Sequence, residues 1–182
     1  MRKALEILGH LSETDIEWIM AQGAQRHVSA GSVVIEPGVP LNSLFIVLEG
    51  QMQVLTPARV VVATLYSGEV LGEISMVDPR PPQVEVRART SAHVLEVPRR
   101  AIDERLAGDR PFAARFYFAL ASYMAERLRS TTSRLGYGSA EDAVPDYGQL
   151  DEKAMDDIAI AGAHFNSILQ RMRTAVCSME DA

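Results

Sequence analysis

The sequence predicts a mainly β domain with flanking helices, and three observations carry that prediction. From about Val28 to Val97, short apolar or alternating runs are broken by Gly31, Pro37-Gly38, Gly50, Pro57, Gly68, Gly72 and the prolines at 79, 81 and 82. This is the pattern of many short strands joined by tight turns. After Pro98 the apolar period becomes helical. The composition, 47% hydrophobic and 23% charged over 182 residues, is that of a globular domain with a substantial core and some additional helix.

Residues 12–22 open with Ser12, continue through Glu13 and Asp15, and place Ile16, Ile19 and Met20 at helical spacing. A short capped helix is expected there, covering one end of the unit that follows. The strand candidates are Ser32–Ile35, Leu44–Leu48, Met52–Leu55, Val60–Leu65, Val84–Ala88 and His93–Val97, each rich in β-branched or other apolar residues. Six such strands suffice for a β-sandwich or barrel. Arg99–Ala107 reads as a short helix ended by Gly108. Asp109 then caps a longer one that tolerates Pro111 in its first turn. In it Phe112, Phe116, Leu120, Met124 and Leu128 recur every fourth residue, with Leu135 extending the stripe until Gly136 and Gly138. That stripe is expected to bury.

Residues 136–149, with three glycines, Pro145 and several acids, read as a linker, and 150–182 as an acidic tail with one helix. In the tail, Met155, Ile158, Gly162, Phe165, Leu169, Met172, Val176 and Met179 form an apolar seam of about three heptads that needs a partner, in the same chain or in a twin. Residues 1–135 hold 15 acidic and 15 basic side chains, while 136–182 hold 9 and 3, so the net charge of −6 sits in the tail. DNA would repel it, and no nucleic-acid partner is expected. The longest apolar runs fall far short of the ~20 residues of a membrane span, and Glu6, Glu13 and Asp15 occupy positions where a secretory signal would be apolar. A cytosolic protein without a membrane partner is expected. One cysteine, Cys177, excludes an internal disulfide, and the four histidines show no ligand spacing. No metal, cofactor or catalytic residue is expected.

Strands followed by two helices, with glycines in this order, resemble the cyclic-nucleotide-binding domain of the cAMP receptor protein superfamily over roughly residues 10–135. Ala30-Gly31-Ser32-Val33-Val34-Ile35 followed by Pro37-Gly38 resembles that family's first hairpin, and Leu44 through Gly50 its next strand and turn. The most specific stretch is Gly68-Glu69-Val70-Leu71-Gly72-Glu73-Ile74-Ser75-Met76. It resembles the start of the phosphate-binding cassette, a turn and short helix that cradles a cyclic phosphate. The resemblance implies a jelly-roll β-roll plus C-terminal helices, and a homodimer through the long helix. It also implies a ligand site drawn from Gly72, Glu73, Ile74, Ser75, Arg80, Gln83 and Val84.

The chemistry of such a cassette follows from residue type. Gly72 permits close backbone approach, and N–H groups at the start of a short helix face an anion, with Ser75 expected to supply one. In the family, a glutamate at the position of Glu73 accepts from a ribose hydroxyl, and a later arginine pairs with the phosphate through its planar fork. Aligned without gaps from Gly72 to Ala88, that arginine position falls on Pro82, and the positions after it on Gln83, Val84 and Glu85. Arg80 could replace it if the proline-rich loop is remodelled; its other reading is a solvated loop charge. Arg87 and Arg89 read as surface strand charges. A Glu85 carboxylate ~4 Å from a phosphate would cost on the order of 4 kcal/mol at an effective dielectric of about 20, but strand alternation could equally turn it to solvent. Ser130-Thr131-Thr132-Ser133 reads as hydroxyls weakening a helix near its end, although in the family this helix also closes over the base.

The expected function is regulatory: binding of a cyclic nucleotide and signalling through contacts with an unidentified protein partner. Only 47 residues follow residue 135, 9 of them acidic and 3 basic, which disfavours a helix-turn-helix reader. The alternative is a dimeric scaffold that keeps the fold without the ligand, which Pro82 and Glu85 support.

Overall fold

The structure, a computed structural model, describes residues 10–134. Leu135, the 136–149 linker and the tail helix lie outside them. The described residues fall into two compact units, one of residues 13–113 and one holding 10–12 and 114–134. No helix among them is long and apolar enough to cross a membrane.

The first unit opens with α1 (Glu13–Gln22) and continues through eight strands: β1 (Ala24–Val28), β2 (Val33–Ile35), β3 (Ser43–Glu49), β4 (Met52–Leu55), β5 (Val61–Leu65), β6 (Val70–Leu71), β7 (Glu85–Ala88) and β8 (Ala92–Pro98). A 3₁₀ turn, Ile74–Met76, lies between β6 and β7, and α2 (Arg99–Gly108) follows β8. The strands form two antiparallel four-stranded sheets, ordered β1-β8-β3-β6 and β2-β7-β4-β5. This is the expected mainly β roll with flanking helices.

The core lies between the sheets and follows strand alternation. Val28, Phe45, Val47, Leu71, Ala92 and Val94 from the first sheet meet Ile35, Met52, Val54, Leu65, Val86 and Ala88 from the second. On the first sheet Leu44, Ile46, Leu95 and Val97 alternate with that set and are also buried, because α1 packs on β8 and α2 on β8 and β3.

All six expected strands are present, shifted by a residue or so at their ends. Two more form that carried no sequence signal. Ala24–Val28 is polar and exposed except at Val28, and it is a strand because it pairs along its whole length with β8. Val70–Leu71 is too short for any period and is set by pairing with Phe45 and Ile46.

One buried ion pair ties the helices of this unit together. Arg105 of α2 donates to Asp15 of α1 at 2.8 Å, where Asp15 is fully buried. The guanidinium lies 4.5 Å from the Trp18 ring centroid and 4.1 Å from that of Phe112, so two aromatic faces replace the water it loses.

The second unit's described part is mostly α3 (Arg110–Arg134), whose first turn belongs to the first unit. Phe112, Phe116 and Leu120 are buried as expected, and Ala119 and Tyr123 join them. Leu128 instead is 68% exposed. A step of four residues overshoots the 3.6-residue turn by 40°, so after four steps Leu128 points about 160° away from Phe112. Of the hydroxyls near the helix end, Thr132 donates back to the Leu128 carbonyl at 2.9 Å.

Candidate functional site

The segment leading into the expected cassette is held by its own turn chemistry. The Tyr66 N–H donates to the Glu69 carboxylate at 2.7 Å, while the Glu69 N–H donates to the Tyr66 carbonyl at 3.0 Å. Gly68 takes the left-handed conformation and donates to the Val47 carbonyl at 2.6 Å. The loop is thereby closed on itself and fastened to β3, which delivers β6 to the rim of the roll at Gly72.

Gly72 has φ +82°. A Cβ there would lie 2.6 Å from Leu41 Cδ2 and 2.9 Å from the Ser43 carbonyl oxygen, so the position requires glycine both for its backbone and for its neighbours. Glu73 comes next, 3% exposed, at the head of the 3₁₀ turn. Ile74 is 53% exposed and Ser75 buried.

The Ser75 N–H, expected to face an anion, donates to the Gly72 carbonyl at 3.1 Å. A 3₁₀ turn closes its bonds three residues back, so it engages donors one residue sooner than an α-helix. Met76 and Val77 follow the same rule, bonding to Glu73 and Ile74.

The carbonyl end of this turn has a different solution. The Asp78 N–H goes to Ile74, and residue 79, which would face the Ser75 carbonyl, is a proline without an N–H. Arg99, the first residue of α2, supplies the donor: its Nη1 reaches the Ser75 carbonyl at 2.6 Å. The same guanidinium donates through Nε to Asp103 at 3.3 Å, and the Arg99 backbone N–H donates to the Asn42 carbonyl at 2.9 Å.

The loop from Asp78 to Val84 carries the remaining expected residues. Arg80 is 81% exposed and folds back on Asp78, with Nε and Nη2 reaching both carboxylate oxygens at 2.6–3.0 Å. These bonds hold the Asp78 carboxyl below its ordinary value and raise Arg80. The loop is stapled at its far end, where the Gly38 N–H donates to the Pro82 carbonyl at 2.8 Å. Gln83 is exposed, and Val84 packs on the core.

On β7, Val86 and Ala88 face the core, and Glu85 and Arg87 take the other face. There they form an ion pair with each other, partly buried. Arg87 is therefore the counterion of Glu85 rather than a solvated charge, and the Glu85 carboxylate is compensated. Arg89 is exposed, its N–H donating to the Gln51 carbonyl at 2.8 Å.

Gly72, Glu73 and Ser75 thus lie together at the rim, Ile74 points outward, and Arg80 and Gln83 stand in solvent on the next loop. Sequence reading missed Arg99 and Leu41. Pro79 was the available signal for Arg99, because it leaves a turn carbonyl without its backbone donor.

Comparison with known proteins identifies the architecture. Residues 25–109 match the family model described as the cyclic nucleotide-binding domain. A cyclic nucleotide-binding domain from Methylobacillus flagellatus superposes with a TM-score of 0.66 at 20% identity, covering 76% of this chain and 84% of that one. The c-di-GMP responsive global regulator CLP of Xanthomonas campestris gives 0.61 at 23%, covering 69% and 63%. Among curated proteins, Glutaminase 2 of Bradyrhizobium diazoefficiens is 29% identical over 134 residues, 74% of this chain but 21% of that protein. The cAMP-activated global transcriptional regulator Vfr of Pseudomonas aeruginosa is 26% identical over 129 residues, 66% of this chain and 58% of that protein. The chain spans less than two thirds of the length of either curated relative.

Proposed function

We propose, from the match of residues 25–109 to the cyclic nucleotide-binding domain model, that the chain is a cytosolic, non-catalytic regulatory module that binds a cyclic nucleotide at its cassette and signals through protein contacts. The single observation that carries this reading is the rim itself: a glycine held at φ +82° by close neighbours, followed by a glutamate 3% exposed. In this reading Glu73 accepts from a ribose hydroxyl. Gly72 and Ser75 form the floor with the exposed Ile74 at its edge, and Val84 and Gln83 the far wall. Arg80 leaves Asp78 for the phosphate, exchanging one carboxylate partner for an anion of similar geometry.

Signalling would pass through α3, where Tyr117, Phe118 and Leu128 are 46%, 60% and 68% exposed. These residues suit a homodimer contact or a docking protein. A second reading is favoured by one specific observation: Arg80 is already satisfied by Asp78. The roll would then be a ligand-free dimeric scaffold.

Thermal unfolding against a panel of cyclic mono- and dinucleotides separates the two. A ligand at about 100 times its Kd adds ~2.7 kcal/mol, several degrees for a chain of this size. A shift with one nucleotide, abolished by Arg80→Ala or Glu73→Gln, supports the sensor. A well-folded protein that no nucleotide shifts refutes it in favour of the scaffold.

A further inference from the structure

We propose that Arg99 is a positioning residue that couples the cassette turn to α2. One guanidinium holds the Ser75 carbonyl at 2.6 Å and the Asp103 carboxylate at 3.3 Å, while its backbone N–H is fixed on Asn42 at 2.9 Å. The bond to Ser75 is charge-assisted and part-buried, which places it among the stronger hydrogen bonds of a protein.

Three features make this a coupling rather than a surface contact. Pro79 withholds the backbone donor that would face the Ser75 carbonyl, so losing Arg99 strands a polar group of a buried residue. Ser75 also donates its N–H to Gly72, so the Arg99 partner sits inside the turn that Gly72 opens. Asp103 lies one helical turn along α2, so the guanidinium is braced against the helix and cannot follow the cassette without α2 or release it without breaking the bond. Two elements more than twenty residues apart in sequence thereby share one side chain. The inference rests on the cyclic-nucleotide reading only for its use; the coupling itself is a property of the chain without ligand.

The test is a double-mutant cycle read by hydrogen exchange on the full chain without nucleotide. Ala101→Gly weakens α2 from within. Exchange is followed at the hydrogen-bonded amides of residues 75–78 and across 99–108 in wild type, Arg99→Gln, Ala101→Gly and the double variant. Arg99→Gln alone should speed exchange at 75–78 by roughly tenfold, the loss of one hydrogen bond to a charged group. Ala101→Gly should speed α2 in both backgrounds, and speed residues 75–78 by about threefold or more only where Arg99 is present. The coupling is overturned if 75–78 do not respond to Ala101→Gly, or respond by the same factor in both backgrounds.

Arg99→Lys serves if the glutamine variant does not fold. It keeps a cation for Ser75 but lacks the fork, so it should protect 75–78 while removing their response to Ala101→Gly, and a retained response overturns the proposal. A nucleotide arm separates the two readings. If no cyclic nucleotide shifts wild type, the binding reading fails and the exchange cycle still decides the coupling. If one binds, and its effect on α2 exchange persists in Arg99→Gln, the coupling fails while binding stands.

Discussion

Three glycines allow the demands on Gly72 to be measured separately. Gly108 lies in α2 with no neighbour within 4 Å of a Cβ and no positive φ, so Gly108→Ala should stabilise by about 0.5–1 kcal/mol through lower unfolded-chain entropy and better helix propensity. Gly31 has φ +83° and equally open surroundings. Gly31→Ala should therefore cost about 1 kcal/mol, the left-handed strain alone. Gly72 has the same φ within a degree, but its Cβ would meet Leu41 Cδ2 at 2.6 Å and the Ser43 carbonyl at 2.9 Å. Leu41 can swing its tip aside. The Ser43 oxygen belongs to the backbone of β3, paired there with Pro98, and moves only with the strand. Overpacking of this kind adds about 1–3 kcal/mol, giving about 2–4 kcal/mol in total. Each kcal/mol shifts the midpoint by about 2–4 °C in a chain of this length. Thermal unfolding by circular dichroism should then show Gly108→Ala slightly above wild type, Gly31→Ala a few degrees below, and Gly72→Ala about 5–15 °C below. If Gly72→Ala and Gly31→Ala agree within about half a kcal/mol, the close approach at the rim does not exist and the assignment of Gly72 to the cassette loses its physical basis.

Asp15→Ala should destabilise by about 2–4 kcal/mol in urea titration, because it leaves the part-buried Arg105 charge with only the more exposed Asp109 carboxylate at 3.6 Å; a loss below about 1 kcal/mol would show that Asp109 and the aromatic faces of Trp18 and Phe112 suffice. Asp78→Asn frees Arg80, and calorimetry should show a nucleotide that binds wild type binding up to about fivefold tighter, the worth of one surface ion pair; weaker binding would place Arg80 outside the phosphate site. The Asp78 carboxyl is held low by its hydrogen bonds from Arg80, so the pair's contribution is present above the unfolded value and lost only as pH falls through the lower folded one. Between about pH 5 and 8 the wild-type and Asp78→Asn unfolding curves should therefore run parallel, and divergence there would contradict the direction of the shift. Leu128→Asp on α3 should leave stability nearly unchanged, because the side chain is exposed, yet should abolish a dimer seen by light scattering if that face makes it.

The roll is legible in the sequence, because its core residues alternate with period two and its turns need glycine or proline. Val47, Val54, Val86 and Val94 are legible as core from their own strands. Gly68 and Gly72, both at positive φ, mark the two ends of the segment that enters the expected cassette. These signals are local, carried by propensity and by the sterics of a missing Cβ. The polar strand at Ala24–Val28 left none, because a fully formed partner strand supplies its hydrogen bonds. The helical stripe was legible only in its first half, since a period of four drifts off a 3.6-residue turn. In the expected site segment, Glu73, Ser75 and Arg80 were readable as candidates, but their partners were not. Asp78 takes Arg80 because the proline-rich loop turns it back, and Arg87 takes Glu85 because both stand on one face of β7. Arg99 reaches Ser75 across 24 residues, a contact that exists only once β8 returns the chain beside β3 and β6. Which donor meets which acceptor is decided by distance in the folded chain, and a sequence fixes distance only over a turn or a strand.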